Sequence, residues 1–126
     1  MDAENPFPAE RTAVITGAAS ARGIGRATAD RLARDGWSIA ILDLDEEGAK
    51  RTAAKIAGNR SVAALGVGAD VADEGSVEAA IAQVEAALPP IIGLANVAGV
   101  SSAIDFLDLT LAEWDRVFDI NTRGVF

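Results

Sequence analysis

Residues 12–25 read Thr-Ala-Val-Ile-Thr-Gly-Ala-Ala-Ser-Ala-Arg-Gly-Ile-Gly, and this stretch decides the fold. A short apolar run at 13–15 ends in a turn with three glycines, Gly17, Gly23 and Gly25, and a helical pattern follows at once. Glycines let backbone N–H groups approach a pyrophosphate, and the start of a helix presents unpaired N–H groups to an anion. The stretch therefore predicts a strand, a phosphate-binding loop and a helix.

The loop does not match the dinucleotide fingerprint G-x-G-x-x-G in full, because Thr28 stands where the third glycine or alanine would be. Taken alone, the loop also fits an ordinary glycine-rich turn. The pattern of the chain that follows decides between the two interpretations.

The composition predicts one soluble domain. The chain has 126 residues, half of them apolar, and no apolar run approaches the ~20 residues that cross a bilayer. The first residues lack the features of a signal peptide and there is no cysteine, so we expect a cytoplasmic protein. A net charge of −8 argues against nucleic acid or an anionic membrane as a partner. No metal site is predicted.

Apolar runs alternate with helical patterns along the chain. The predicted elements are a strand before the loop, a helix over 23–35, a strand over 38–43, a helix over 45–57 that Asp45 caps, a strand over 61–67, a helix that Asp73 caps, and a strand over 91–96. Strands that alternate with helices of about a dozen residues form right-handed βαβ units. The predicted fold class is therefore α/β, a doubly wound parallel sheet with helices on both faces.

The same pattern predicts how these elements pack and end. Continuous apolar runs indicate that the strands over 38–43 and 91–96 are buried on both faces. Gly58 is the expected stop of the second helix. The face of the first helix that we expect to pack on the sheet contains Ile24, Thr28, Ala29, Leu32 and Ala33.

Ligands of doubly wound sheets bind at the carboxyl ends of the strands, at the point where the strand order reverses. Gly17, Asp43, Asp70 and Asn96 fall at or just beyond these ends. The sequence therefore predicts one ligand site at this edge of the sheet.

The last segment begins at Thr110, which has the capping-box spacing with Glu113. Its expected buried stripe contains Leu111, Trp114, Val117, Phe118, Asn121 and Val125. An amide within a buried stripe requires hydrogen-bond partners. No stop signal precedes Phe126, so we expect an extended lead-in over 1–11 and a domain over 12–126 that is incomplete at its carboxyl end.

Several of these motifs together resemble the short-chain dehydrogenase/reductase family. The Thr-Gly pair, the small-residue loop and Gly-Ile-Gly are similar to its nucleotide loop, although five residues instead of three separate the first two glycines. Asp70-Val71 resembles the family's Asp-Val pair, and Asn-Val-Ala-Gly at 96–99 is similar to its Asn-Asn-Ala-Gly. Residues 119–126 resemble the stretch that carries its structural and catalytic asparagine. The resemblance covers 12–126 and implies the amino-terminal half of a Rossmann-fold member.

The resemblance implies an oxidoreductase. Family members transfer a hydride between a nicotinamide cofactor and an alcohol or carbonyl substrate, using a tyrosine, a lysine and a serine that would lie beyond Phe126. The chain contains no tyrosine, so we predict that it is inactive alone. Members of this family commonly form dimers or tetramers, so the resemblance also implies a homo-oligomer at full length.

The resemblance also implies the site residues. The catalytic residue is Asn121, which kinks its helix and binds a water that leads to the catalytic lysine. The cofactor-binding residues are Gly17, Ser20, Arg22, Gly23, Ile24, Gly25, Asp43, Asp70, Val71, Asn96, Ala98 and Gly99.

The predicted cofactor is NAD, with NADP as the alternative. Asp43 lies 18 residues after Gly25 in the sequence, close to the separation of ~20 residues at which an acid meets the ribose hydroxyls of NAD. A carboxylate ~4 Å from the 2′-phosphate of NADP would repel it by ~4 kcal/mol per unit charge at an effective dielectric of ~20. In the family, a basic residue at the place of Arg22 often marks NADP, but Leu44 is not basic and the phosphate clamp is incomplete.

Other interpretations stay open at this point. The chain also fits a non-catalytic dinucleotide-binding module or a truncated product, and less well a nucleotide-sugar epimerase, whose loop has the spacing Gly-x-x-Gly-x-x-Gly. Asp70 also fits a simple loop acid, and Asn121 a core amide. Ser101 and Ser102 are interpreted as loop residues, because no histidine is present to activate them.

Overall fold

Four parallel strands form one sheet in the computed structural model, which describes residues 6–126. The first five residues of the predicted lead-in lie outside the described residues, and residues 6–11 contain no helix or strand. The strands are β1 (Thr12–Thr16), β2 (Ser38–Asp43), β3 (Ala64–Gly68) and β4 (Ile91–Asn96). The helices are α1 (Ile24–Arg34), α2 (Glu46–Arg60), α3 (Glu74–Ala87) and α4 (Leu111–Phe118), with a short 3₁₀ turn at Phe106–Asp108 and a π-helical turn at Asp119–Arg123.

The strand order is β3-β2-β1-β4, so the direction of winding reverses between β1 and β4. The register aligns the carboxyl ends of neighbouring strands. Thr16 at the end of β1 lies opposite Leu42 of β2 and Asn96 of β4, and Asp43 lies opposite Gly68 of β3. The doubly wound parallel sheet is thus confirmed, and its strand ends meet at one edge.

Apolar clusters cover both faces of the sheet. On one face, α1 and α2 pack on strand residues that include Ile15, Ile39 and Ile41. On the other, Ala80 and Val84 of α3 pack on Val14, Leu42 and Val67. Burial of these side chains supplies the main favourable free energy for joining the helices to the sheet. Helices on both faces are therefore confirmed.

The predicted contact face of α1 is wrong at Ile24, which is 77% exposed. The buried residues of this helix are Gly25, Ala29 and Ala33, at steps of four. Gly25 lies so close to the glycine-rich loop that a Cβ there would come within 2.7 Å of the Gly17 carbonyl oxygen. This close approach fixes the helix rotation and turns Ile24 outward.

The predicted end of the second helix is also wrong. The helix continues through Gly58 to Arg60, and Ser61 ends it in the left-handed conformation with φ 55°. Two hydrogen bonds of 3.1 and 2.8 Å join the Arg60 guanidinium to Asp30 of α1. This tertiary contact stabilises a last turn that the glycine would otherwise weaken. As a result β3 begins at residue 64 instead of 61.

Two predicted burials near the carboxyl end of the chain are wrong. The bounds of β4 agree with the prediction, but β4 is an edge strand within residues 6–126, and its Ile92 and Leu94 are 43% and 62% exposed. The stripe of α4 is also exposed, and its Trp114 and Phe118 rings stack on each other at 4.5 Å between centroids. Thr110 does cap α4, accepting a hydrogen bond from the Glu113 N–H at 3.2 Å.

None of the helices in the described part of the chain combines the length and the hydropathy needed to cross a membrane.

Candidate functional site

A cavity of about 260 Å³ opens at the carboxyl edge of the sheet, between the ends of the strands. It brings together several predicted cofactor residues that are distant in sequence. These are Gly17, Asp43, Asp70, Val71, Ala98 and Gly99. Ile120, next to the predicted catalytic residue, lines the same cavity.

The end of β1 is joined directly to the segment after β4. Gly17 has φ +72°, and a Cβ there would lie 2.6 Å from the Cα and N atoms of Ala98. Thr16 Oγ1 accepts hydrogen bonds from the N–H groups of Val97 and Ala98, both at 3.1 Å. Sequence reasoning missed Thr16, whose only signal was its place before the first loop glycine.

Asn96 stands at the end of β4 opposite Thr16, but it does not tie the two strands together. Its side chain points to a second cavity with Leu94 and Arg123, and no hydrogen bond joins it to another residue in 6–126. Side chains alternate between the two faces of a strand, so Asn96 shares the face of Leu94. Thr16 makes the connection instead.

The fold requires glycine at two of the three loop positions, Gly17 and Gly25, but not at Gly23. Packing excludes a side chain at Gly17, as described, and at Gly25, where a Cβ would also come within 2.9 Å of Ala18 Cβ. At Gly23 a Cβ would meet nothing closer than Ser20 Cβ at 3.6 Å, so the fold itself has room for a side chain. Gly23 precedes α1, no side chain caps this helix, and its first turn contains no acid. The free N–H groups of that turn are available to an anion.

Asp43 lines the cavity and also fixes the glycine-rich loop. Its Oδ2 accepts a hydrogen bond from the Ala19 N–H at 2.9 Å, and its Oδ1 accepts one from the Asp45 N–H at 3.0 Å. Asp45 caps α2 by accepting from the Gly48 N–H at 2.9 Å, as expected. A carboxylate has about four acceptor positions, so Asp43 retains capacity for a ligand hydroxyl.

Asp70 and Val71 form the wall of the cavity beyond β3. Asp70 Oδ1 accepts from the Ala72 N–H at 2.9 Å, which leaves its other oxygen free of backbone partners in the described chain. Val71 packs against Gly124, where a Cβ would lie 2.8 Å from Val71 Cγ2. Both interpretations of Asp70 are compatible with this geometry, because the residue stabilises its own turn and faces the cavity.

Asn121 lies in the π-helical turn and binds the backbone of Val100 through both the oxygen and the nitrogen of its side-chain amide. Its Oδ1 accepts from the Val100 N–H and its Nδ2 donates to the Val100 carbonyl oxygen, each at 2.8 Å. The neighbouring Gly99 has a Cβ position only 3.3 Å from Asn121 Oδ1. The amide is exposed rather than buried, and it connects the carboxyl-terminal helix to the wall of the cavity. Single π-turns of this kind are frequent at functional sites.

Arg22 lies outside the main cavity, as do Ser20 and Ile24. Arg22 lines a separate open cavity of about 480 Å³ between α1 and α2, together with Arg26 and Lys55. These three cationic side chains form no salt bridge within residues 6–126. Asp30 in the same cavity is engaged elsewhere, since a hydrogen bond from Arg60 is the main cause that lowers its pKa.

The serines beyond the cavity act as loop residues in this structure. Ser102 Oγ accepts from the Ile104 N–H at 3.4 Å, and Arg116 of α4 donates to the Ser101 carbonyl oxygen at 3.4 Å. Arg116 also donates to both carboxylate oxygens of Glu113, at 2.8 and 2.7 Å. Hydrogen bonds from Arg116 and then Ser102 lower the pKa of Glu113 to about 2. This network attaches α4 to the segment after β4.

Comparisons with known proteins give a consistent result. The model of the short chain dehydrogenase family matches residues 11–126. D-threitol dehydrogenase of Mycolicibacterium smegmatis is 43% identical over 116 residues, which cover 92% of this chain and 44% of that protein. An uncharacterised short-chain type dehydrogenase/reductase of Sinorhizobium fredii is 41% identical over 115 residues, which cover 91% and 46%.

Among solved structures, a 3-ketoacyl-ACP reductase from Sinorhizobium meliloti superposes with a TM-score of 0.84 at 34% identity. The match covers 91% of this chain and 44% of that one. The chain thus spans less than half the length of these relatives.

Proposed function

This chain belongs to the short-chain dehydrogenase/reductase family, and from that premise we propose that it forms the cofactor-binding part of an NAD(P)-dependent oxidoreductase. The reaction is hydride transfer between the nicotinamide and an alcohol or carbonyl substrate. The observation that carries the proposal is the convergence of Gly17, Asp43, Asp70 and Ala98 on one cavity at the strand ends. This is the edge at which doubly wound sheets bind dinucleotides.

Groups around this cavity and at the neighbouring start of α1 match the parts of the dinucleotide. Asp70 and Val71 would contact the adenine, and Asp43 the adenosine ribose. The pyrophosphate would lie at the uncapped start of α1, beside Gly23, where N–H groups and the helix dipole favour an anion. The nicotinamide ribose would lie against Ala98 and Gly99, near the Val100 backbone that Asn121 fixes.

NAD is the favoured cofactor because Asp43 lies in the cavity and carries negative charge where NADP would add a phosphate. At ~4 Å and an effective dielectric of ~20 the repulsion is ~4 kcal/mol per unit charge, and solvent reduces it. NADP is the second candidate, since Arg22 has no salt-bridge partner within residues 6–126. Arg22, however, lines a different cavity from Asp43.

A non-catalytic dinucleotide-binding module is the alternative function. The two functions differ in turnover: both bind the cofactor, but only the oxidoreductase, at its natural length, transfers hydride to or from a substrate.

Gly23→Ala tests the cofactor assignment, because the fold has room for the added methyl group and a bound pyrophosphate does not. We expect NADH affinity to fall about tenfold or more, equal to at least about 1.4 kcal/mol, while stability falls by no more than about 1 kcal/mol at this N-cap position. Fluorescence titration with NADH and thermal unfolding measure the two effects.

Gly58→Ala is the matched control, since its Cβ meets no atom within 4 Å and it lies inside α2, away from the cavity. It should gain up to about 1 kcal/mol of stability and bind NADH unchanged. Wild-type affinity in Gly23→Ala would contradict the placement of the pyrophosphate.

A further inference from the structure

Ala19 of the glycine-rich loop is hydrogen-bonded to α2 and to the end of β2. Both backbone groups of Ala19 are bound by side chains from elsewhere in the fold. Its N–H donates to Asp43 Oδ2 at 2.9 Å, and its carbonyl oxygen accepts a hydrogen bond from Thr52 Oγ1 at 3.3 Å. Asp43 ends β2 and Thr52 lies within α2, so the loop is bound from two different elements.

One face of α2 is shaped to receive this loop. Gly48 and Thr52 are four residues apart, so they lie one above the other on the same helix face. A Cβ at Gly48 would lie 2.8 Å from Ala19 Cβ, which shows how closely the helix and the loop approach. Thr52 is only 3% exposed and Ala19 is half-buried, so the donating hydroxyl has little access to water as an alternative partner.

The packing of α2 does not by itself explain why position 52 has a hydroxyl group. A threonine inside a helix commonly returns its hydrogen bond to a carbonyl one turn earlier in the same helix. Here the hydroxyl donates to the loop instead, and burying it without that acceptor would be unfavourable. Valine has the same shape and would fill the position without a polar group.

We propose that Thr52 is a positioning residue for cofactor binding, which acts by fixing the glycine-rich loop through Ala19. The inference rests on the proposed function. A loop that is ordered before the ligand arrives costs less conformational entropy on binding, so affinity rises without any added contact. Thr52 contacts Ala19 rather than the cavity, and Asp43 acquires a second task as the other half of the attachment.

The test compares Thr52→Val with Thr52→Ser in the natural-length protein. Two quantities are measured: the affinity for NADH, and the hydrogen-exchange rate of the Ala19 amide without ligand, followed by NMR. In Thr52→Val we expect Ala19 exchange to accelerate and NADH affinity to fall, each by about tenfold, the factor that corresponds to one net hydrogen bond. Thr52→Ser retains the hydroxyl and should restore both quantities to near the wild-type values.

Ile56→Val is the control for stability, because Ile56 is fully buried one turn further along α2 and its side chain has no hydrogen-bonding group. It should lower the unfolding temperature but leave Ala19 exchange and NADH affinity unchanged. If Thr52→Val does not fold, Thr52→Ala removes the same hydroxyl without added bulk.

The positioning role is wrong if Thr52→Val retains wild-type NADH affinity, whether or not Ala19 exchange changes. It is also wrong if Thr52→Ser behaves like Thr52→Val, since the effect would then come from packing. Failure of the proposed function gives a different result, because the wild-type protein would then not bind NADH. The exchange rate of the Ala19 amide would still show whether Thr52 fixes the loop.

Discussion

At the scale of single residues, Asn121 shows how a residue can be identified correctly and its surroundings misjudged. The spacing of the last helix placed this amide in a buried stripe, where it would require hydrogen-bond partners. In the structure the amide is exposed and makes two hydrogen bonds to Val100, so its contribution to stability comes from these bonds.

Asn121→Leu should therefore destabilise the protein by about 1–3 kcal/mol, because two net hydrogen bonds of about 0.5–1.5 kcal/mol each are lost. On the proposed function, turnover of the natural-length protein should fall as well, since Val100 lines the cavity at the strand ends. Thermal unfolding and steady-state kinetics measure the two effects. Asn121→Asp retains the acceptor for the Val100 N–H and should lie between the two proteins. A leucine variant more stable than wild type would refute this role of the amide.

Thr16 and Asn96 show what single residues in the sequence could not reveal. Both stand at the end of a strand, and either could tie β1 to β4. Both side chains lie on the same face of the sheet and line the second cavity, but only the Thr16 hydroxyl reaches the N–H groups of Val97 and Ala98. That depends on the path of the chain after β4, which spacing in the sequence does not reveal.

At the scale of elements, local signals predicted the strands and helix starts well. The bounds of β2 and β4 agree with the apolar runs, and Asp45, Asp73 and Thr110 cap their helices as expected. These features depend on residues that are close in sequence. The end of α2 depends instead on the distant pair of Arg60 and Asp30, and a local rule placed it too early.

The burial of α4 and β4 was mispredicted for a related reason. An amphipathic pattern shows which face of a helix is apolar but not what covers it. Within residues 6–126 Trp114 and Phe118 stack on each other, and each stays 46% exposed. The expected homo-oligomer would offer one such cover, and it stays a prediction.

The attachment of α4 should depend on pH. The folded state lowers the pKa of Glu113 from 4.5 to about 2, mainly through hydrogen bonds from Arg116. A lowered acid pKa adds stability that is complete above about pH 4.5 and is lost as the pH falls towards 2. Unfolding temperatures of wild type and Glu113→Gln should therefore converge between pH 5 and pH 2. Parallel curves over this range would show that the ion pair does not stabilise the fold.

At the scale of the whole molecule, the net charge does not show where the individual charged side chains lie or which of them are paired. The net charge of −8 was readable from the sequence, but the pairing of the charges was not. Acids of the same or neighbouring elements pair with most of the bases, and Arg22, Arg26 and Lys55 remain without salt bridges around one cavity within residues 6–126. An overall acidic chain thus presents both a cavity with two acids and a separate basic one.

The fold and the family were predictable because several local motifs agree in order and register, although the nucleotide loop has a different length. Family membership, the parallel sheet and the cavity at its edge support binding of a nicotinamide dinucleotide as the central claim. The role of each site residue and the choice of NAD over NADP stay predictions. The inactivity of the isolated chain stays a prediction too, since it depends on the tyrosine that the sequence lacks.

The most direct measurement is a parallel titration of the natural-length protein with NADH and NADPH, repeated on Asp43→Ser. We predict saturable binding of both, tighter for NADH by about tenfold or more, because the carboxylate repels the 2′-phosphate. In Asp43→Ser the difference should shrink, through weaker NADH binding and stronger NADPH binding. Tighter binding of NADPH by the wild-type protein would contradict the assignment of NAD, and failure to bind either nucleotide would contradict the account as a whole.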